Sequence, residues 1–221
     1  MKKRILVTGG SGRFGTVLKK LKSNYEMLFP SKTILDITNL RSIQKYIKLK
    51  KPNIVIHLAG LSRPMNIHDY QIQKSIDLNI IGTCNITKAC AEKNIKLIYF
   101  STSYVYPGTK GNYVESDSLL PVNNYSWSKL GGECAVQLYK NSLILRLCMT
   151  EKPFVHKAAF YDVKNSFMYH DEVAKILLKL LNIKGILNVG GKSQSVYNFA
   201  KIENPKIKKI FLKKKKNKYA H

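Results

Sequence analysis

The sequence has 221 residues, with 38 Lys+Arg against 13 Asp+Glu, 44% hydrophobic residues, 13 Gly and 7 Pro. Such a length and apolar content exclude a disordered or collagen-like chain and predict one folded domain that needs no disulfide or structural metal to bury its core. The formal charge of +25 invites a nucleic-acid reading, but 33 of the basic residues are Lys and 5 are Arg, and Ile (22) and Asn (17) are also frequent; the skew reads as codon bias, because base and phosphate recognition favours the planar fork of Arg.

Cys84, Cys90, Cys134 and Cys148 show no C-x-x-C spacing and no paired His, so reduced thiols in a cytoplasmic protein are expected, with no metal. Only Ile5, Leu6 and Val7 follow the basic start before Thr8-Gly9, too few for a secretory signal, and no run approaches the roughly 18 apolar residues of a membrane span. Lys213, Lys214, Lys215 and Lys216 read as a solvated end rather than a binding arm.

In chain order, apolar β-rich runs and segments of helical period alternate. Strands are predicted at 4–8, 26–29, 53–57, 96–101, 142–147 and 185–189, and helices at 13–23, 40–50, 72–93, 125–140 and 171–181. Gly108, Gly111 and Pro121 mark a long loop before the helix at 125. The pattern is that of βαβ units, giving an α/β fold with a Rossmann-type doubly wound parallel sheet. One domain over 1–221 is expected, with a cofactor-binding core at 1–147 and a small substrate-binding portion at 148–221.

The run Thr8-Gly9-Gly10-Ser11-Gly12-Arg13-Phe14-Gly15 closes the first strand and opens the first helix. Gly9 suits a tight turn, Gly12 lets backbone N–H groups approach a pyrophosphate, and Gly15 lets helix and strand pack closely. The alternative is an ordinary glycine-rich turn, which its place at the start of a βαβ unit disfavours.

Tyr125-Ser126-Trp127-Ser128-Lys129 puts a phenol and an amine on one helix face, four residues apart. A phenol titrates near pH 10, so Lys129 is the cation expected to lower Tyr125 toward neutral pH. A plain surface pair would show the same spacing. Ser101-Thr102-Ser103 at the carboxyl end of a predicted strand, where open α/β sheets bind ligands, argues for a site.

Together these motifs resemble the short-chain dehydrogenase/reductases of the extended type, the NAD-dependent epimerase/dehydratase class acting on nucleotide sugars. Thr8-Gly9-x-x-Gly12-x-x-Gly15 resembles the family's cofactor loop, Asp36-Ile37 its acidic pair near adenine, and His57-Leu58-Ala59-Gly60 the strand end beside the nicotinamide ribose. Thr102, Tyr125 and Lys129 match the catalytic Ser/Thr, Tyr and Lys, and Asn79 the helix asparagine. The segments Phe167-Met168-Tyr169-His170-Asp171-Glu172-Val173-Ala174 and Gly185-Ile186-Leu187-Asn188-Val189-Gly190-Gly191 resemble later family motifs. Ser101-Thr102-Ser103-Tyr104-Val105-Tyr106 with Pro107-Gly108 is most similar to the dTDP-4-dehydrorhamnose reductases and related NDP-4-keto-6-deoxysugar reductases and epimerases. Between Arg146 and Phe167 the chain has some twenty residues where extended members carry a larger insertion, so the substrate part is expected to be reduced.

The resemblance implies hydride transfer between a nicotinamide cofactor and a sugar ketone. Tyr125 would be the general acid, with Thr102 bonding the reacting oxygen and Lys129 holding the ribose. Ser62, Arg63, Met65, Ser103, Tyr104 and Tyr106 would line the substrate pocket, and Lys152, His156 and Lys157 could meet a diphosphate, although a solvated loop is the favoured reading of that segment. Cofactor contacts are expected from Gly9, Ser11, Gly12, Arg13, Phe14, Gly15, Lys32, Asp36, Ile37, Leu58, Ala59, Gly60, Asn79, Tyr125 and Lys129. Phe29-Pro30-Ser31-Lys32 lacks the carboxylate that takes a 2′-hydroxyl, and Lys32 and Arg13 offer positive charge, so NADP(H) is favoured with NAD(H) open. Asp36 has an alternative role as a turn residue ahead of the helix at 40. Segments 72–93 and 125–140 resemble the helices through which family members pair, with Ile80, Cys84, Trp127 and Cys134 expected outward, so a homodimer is expected. An epimerase of the same family and a non-catalytic NAD(P)-binding sensor or scaffold remain alternatives.

Overall fold

Strands that are apolar at every position have both faces to bury, and a parallel sheet between helical layers satisfies them. In the computed structural model, which describes residues 2–212, the six anticipated strands form that sheet: β1 (Arg4–Thr8), β2 (Glu26–Leu28), β3 (Ile54–His57), β4 (Lys96–Phe100), β5 (Ser142–Leu147) and the strand Gly185–Val189. The spatial order is β2-β1-β3-β4-β5 followed by Gly185–Val189, every pair parallel. The chain steps outward from β1 to β2 and then crosses to the other side of β1 for β3. Strand order therefore reverses between β1 and β3, whose carboxyl ends, Thr8 and His57, lie in register. Such a switch point opens a crevice for a ligand.

Alternation along each strand divides the core into two layers. Ile5, Val7, Ile56, Ile98 and Leu145 face one side, under Phe14 and Leu18 of the helix Arg13–Lys19 and Val173 and Leu177 of the helix His170–Leu177. Leu6, Val55, Leu97, Tyr99 and Ile144 face the other, under Ile43 and Ile47 of Leu40–Lys50, Ile86 and Ala89 of Gly82–Glu92, and Val136 of Asn124–Gln137.

Most departures from the expected elements lie at helix ends. The first helix stops at Lys19 because the N–H groups of Lys20 and Leu21 turn to the carbonyls three residues back, Val17 and Leu18. The segment predicted as one helix at 72–93 is three: Ile72–Ser75, a π-helical stretch Ile76–Ile81, and Gly82–Glu92. The helix Asn124–Gln137 is started by a reciprocal pair, the Asn123 side chain taking the Ser126 N–H and the Ser126 hydroxyl taking the Asn123 N–H.

Beyond β5 the chain builds a small lobe that periodicity did not reveal. Met149–Thr150 pairs with Met168–Tyr169, Ala158–Phe160 with Lys208–Ile210, and Lys164–Asn165 with Gln194–Ser195. With the helix Val196–Glu203 these strands enclose Phe154, Ala159, Tyr169, Phe199 and Ile207. All four cysteines are free thiols, and among the described residues no helix is long and apolar enough to cross a membrane. The Lys213 to Lys216 run lies outside the described residues.

Candidate active site

The switch point is held by one hydroxyl. Thr8 Oγ1 accepts the N–H groups of Leu58 and Ala59, each at 3.2 Å, and so donates to His57 Nδ1 at 2.7 Å. His57 then carries its proton on Nε2, which donates to Thr83 Oγ1 at 3.1 Å, and Thr83 donates to the Asn79 carbonyl at 2.8 Å. Burial, then the nearby Lys129, pushes His57 down to about 3, so it is neutral. The loop after Thr8 turns at Gly9, φ +69°, where a Cβ would stand 2.6 Å from the Ala59 nitrogen. At Gly15 a Cβ would stand 2.6 Å from the Gly10 Cα, so only glycine lets the first helix start this close to the turn.

Asn79 sits in the π-helical stretch, and its carboxamide is fully engaged. Its Oδ1 accepts the Leu61 N–H at 2.7 Å, while Nδ2 donates to the Leu61 carbonyl at 2.9 Å and to Ser128 Oγ at 2.8 Å. The bulge thus clamps the loop after β3 onto the helix that carries Lys129. Asn79 is a positioning residue here and is not on the cavity wall.

Thr102 follows β4 and is 2% exposed, and Tyr125 and Lys129 stand one turn apart on Asn124–Gln137. All three line one cavity of about 430 Å³, together with Gly9, Gly12, Arg13, Phe14 and Gly15 of the first loop. Leu58, Gly60, Ser62, Arg63, Met65 and Tyr104 complete the expected part of the wall. Bare glycine backbone on one side and two hydroxyls with an amine on the other fit a nicotinamide dinucleotide lying along the strand ends.

The electrostatics differ from the expectation. Tyr125 is pushed up to about 12, chiefly by burial and then by Cys148, with the Thr102 hydrogen bond, Arg63 and Arg13 opposing. Lys129 does not lower it. Its ammonium sits over the Tyr99 ring, 4.1 Å from the centroid, and burial brings Lys129 down to about 7, against the pull of Glu133.

Several anticipated residues lie elsewhere. Asp36 Oδ1 accepts both the N–H and the hydroxyl of Thr38, at 2.9 and 2.8 Å, in the turn ahead of Leu40–Lys50, and chiefly the Thr38 N–H, with Lys32 adding least, holds its carboxyl low. Lys32 and Ser11 are exposed and off the cavity wall, Ile37 packs against Gly82, and Ala59 contributes its N–H to Thr8. The Ser103 hydroxyl meets Cys148 Sγ at 2.8 Å instead of the cavity, and Tyr106 bonds Asn188 and Arg146. Lys152 pairs with Glu203 at 2.9 Å in the small lobe, His156 and Lys157 are exposed, and none of the three lines the cavity. Ile80 packs on Gly131 between the two helices instead of facing outward and Cys84 is half-buried, whereas Trp127 and Cys134 are exposed as expected, as are Ile72, Ile76, Ile81 and Leu138.

Other wall residues were not anticipated. Phe167 and His170 come from a segment singled out by resemblance alone, and Cys148 and Met149 follow β5. Arg13 also turns unexpectedly. It donates to Ser62 Oγ at 2.9 Å and pairs with Glu151 at 3.1 Å, while Arg63 pairs with the same carboxylate at 2.8 Å. Burial raises the Glu151 carboxyl, but its own backbone N–H, then Arg63 and then Arg13 outweigh this and hold it low.

Comparison with known proteins agrees with this geometry. The model of the RmlD substrate binding domain family matches residues 2–150, which include the glycine loop, Thr102, Tyr125 and Lys129. A dTDP-4-dehydrorhamnose reductase of Aggregatibacter actinomycetemcomitans is 30% identical over 191 residues, 84% of this chain and 60% of the relative. The methionine adenosyltransferase 2 subunit beta of Xenopus laevis is 32% identical over 155 residues, 66% of this chain and 46% of the relative. The chain thus spans about half the length of these two curated relatives. The crystal structure of a Bacillus anthracis dTDP-4-dehydrorhamnose reductase in complex with NADP superposes with a TM-score of 0.86 at 25% identity, covering 97% of this chain and 86% of that one. The chain belongs to the RmlD substrate binding domain family, with the fold of the extended short-chain dehydrogenase/reductases.

Proposed function

We propose that the chain is an NADP(H)-dependent reductase of a nucleoside-diphosphate-linked 4-keto-6-deoxysugar. The observation that carries this reading is the convergence of Thr102, Tyr125 and Lys129 on the cavity that the Gly9 to Gly15 loop also lines. The similarity to reductases of this substrate class, one of them in complex with NADP, supports it.

A bound reduced nicotinamide supplies the hydride. Tyr125, with a pKa near 12, is protonated throughout the physiological range, the form a general acid needs, and gives its proton to the ketone oxygen as charge develops there. The Thr102 hydroxyl bonds that same oxygen and orients Tyr125. Lys129, on the same cavity wall as the glycine loop, would hold the ribose and add positive charge beside the reacting centre. Leu58 and Gly60, fixed in a loop that Thr8 and Asn79 tie down, would contact the ribose of a bound cofactor.

NADP(H) is the cofactor we favour over NAD(H). No carboxylate occupies Phe29-Pro30-Ser31, and the exposed Lys32 offers positive charge toward a 2′-phosphate, whereas Arg13 is turned toward Ser62. Ile72, Ile76, Ile81 and Trp127 are exposed on the two segments through which two copies would pair as a homodimer. Four free thiols suit a reducing, cytoplasmic setting.

A second reading has one observation in its favour. The Xenopus relative is a subunit of an enzyme of a different name, so a cofactor-binding scaffold is the alternative. Incubating the protein with NADPH or NADH and a panel of NDP-4-keto-6-deoxysugars separates the two. Oxidation of NADPH in preference to NADH, with one sugar reduced at C4, supports the reductase. Tight NADPH binding without oxidation by any sugar supports the scaffold.

A further inference from the structure

Arg13 comes from the cofactor loop, Arg63 from the loop after β3, and Glu151 from the turn after Met149–Thr150, so three separate segments meet at one carboxylate beside the cavity. Arg13 Nε reaches Glu151 Oε1 at 3.1 Å and Arg63 Nη1 reaches Oε2 at 2.8 Å. Thr150 Oγ1 donates to Oε2 at 3.2 Å, and Arg13 Nη2 donates to Ser62 Oγ at 2.9 Å.

Each guanidinium has five N–H donors, and these contacts engage two on Arg13 and one on Arg63. Two full positive charges share one negative charge, so the cluster is under-neutralised. Both arginines line the cavity, with side-chain exposures of 45% and 26%, and solvent-accessible ion pairs of this kind are worth little. A diphosphate carries two to three negative charges and several acceptor oxygens, and it matches two planar forks better than one carboxylate does.

We propose that Glu151 is a resident carboxylate that a ligand diphosphate displaces from Arg13 and Arg63. Glu151 stores the two arginines facing the cavity while it is empty and competes with the incoming anion, setting its affinity. The inference rests on the reading of the cleft as a site for diphosphate-bearing molecules. Two such molecules present the same chemistry, the dinucleotide and the nucleotide-linked sugar, and the experiment distinguishes them.

Titration calorimetry of wild type, Glu151→Gln and Arg63→Gln with dTDP and separately with NADPH tests the exchange. Glu151→Gln keeps the side-chain size and removes the competing charge, so it should bind the relevant probe about three- to tenfold more tightly, the range of two weak ion pairs released. Arg63→Gln should bind that probe more weakly than wild type. Tightening for dTDP alone identifies the sugar nucleotide as the displacing ligand, and tightening for NADPH alone identifies the dinucleotide. Glu151→Asp, too short to span both arginines, should tighten the same probe less and guards against a misfolded first variant. Wild-type or weaker affinity of both Glu151 variants for both probes overturns the proposal. The result needs no turnover, so failure of the reductase reading is seen separately, as absent NADPH oxidation by wild type.

Discussion

The Lys129 ammonium stands 4.1 Å from the centroid of the Tyr99 ring, and the Tyr99 hydroxyl donates back to the Lys129 carbonyl at 2.9 Å. This double contact ties the helix carrying Tyr125 to β4, the strand that leads to Thr102. The ring face also replaces water around the amine, which lets Lys129 stay buried with a pKa near 7.

That value gives a pH dependence. The groups facing Lys129 are the Tyr99 ring, His57 and His68, both shifted down toward the neutral form, and Glu133 one turn along its helix, which raises it. Lys129 is protonated below about pH 7 and neutral above, so kcat/KM for NADPH should fall as pH rises through that value. Glu133→Gln removes the charge that raises Lys129 and should move the falling limb to lower pH. An unchanged profile in Glu133→Gln would separate Glu133 from the titration.

Glu133 also belongs to a buried pair. Its side chain is 0% exposed and that of Arg146 2%; Oε1 takes Arg146 Nη2 at 2.6 Å and Nε at 3.0 Å, and Oε2 takes the Ser101 hydroxyl. Arg146 continues to the Tyr106 hydroxyl and the Glu115 carbonyl. Removing one partner leaves a bare buried charge, so Arg146→Met should lower stability by roughly 3–5 kcal/mol, and a double variant with Glu133→Leu should recover part of it. Urea unfolding of the three proteins checks this.

The parts legible in the sequence are those whose signal is local. Strands at 4–8, 142–147 and 185–189 and the helix at 40–50 match the structure residue for residue, because strands packed between helices carry near-continuous apolar runs and the helix buries Ile43, Tyr46 and Ile47 at three- and four-residue spacing. Thr102, Tyr125 and Lys129 were expected from a strand end, one turn of helix and the family resemblance, and they meet on one cavity wall. Glu151 was not legible. It lies in a segment without periodicity, and its partners are brought to it by the fold alone. The π-helical stretch at Asn79 leaves no trace in apolar spacing, since its cause is the Leu61 backbone that Asn79 clamps. Lys152 looked like a diphosphate ligand only until Glu203 claimed it.

His57 makes folding pH-dependent. Its folded-state pKa is about 3 against 6.5 for a free imidazole, so between those values the unfolded chain binds a proton that the folded chain does not. The stabilisation is present above about pH 6.5 and is lost as pH falls, by up to roughly 1.4 kcal/mol per pH unit. His68 and His170 are shifted the same way. Urea midpoints measured from pH 7.5 to 5 should decline, and less steeply in His57→Asn. An equal slope in that variant would place the loss on other groups.

The central claim is that Tyr125 is the proton donor of a ketosugar reduction. Tyr125→Phe keeps the ring that packs edge-on against His68, 5.3 Å between centroids, and removes only the hydroxyl. Single-turnover oxidation of NADPH by a 4-keto-6-deoxysugar nucleotide that wild type reduces is the decisive measurement. The account predicts nearly unchanged NADPH affinity and a rate lower by roughly 10²–10⁴, the range for a lost general acid. Oxidation by Tyr125→Phe at the wild-type rate would contradict it.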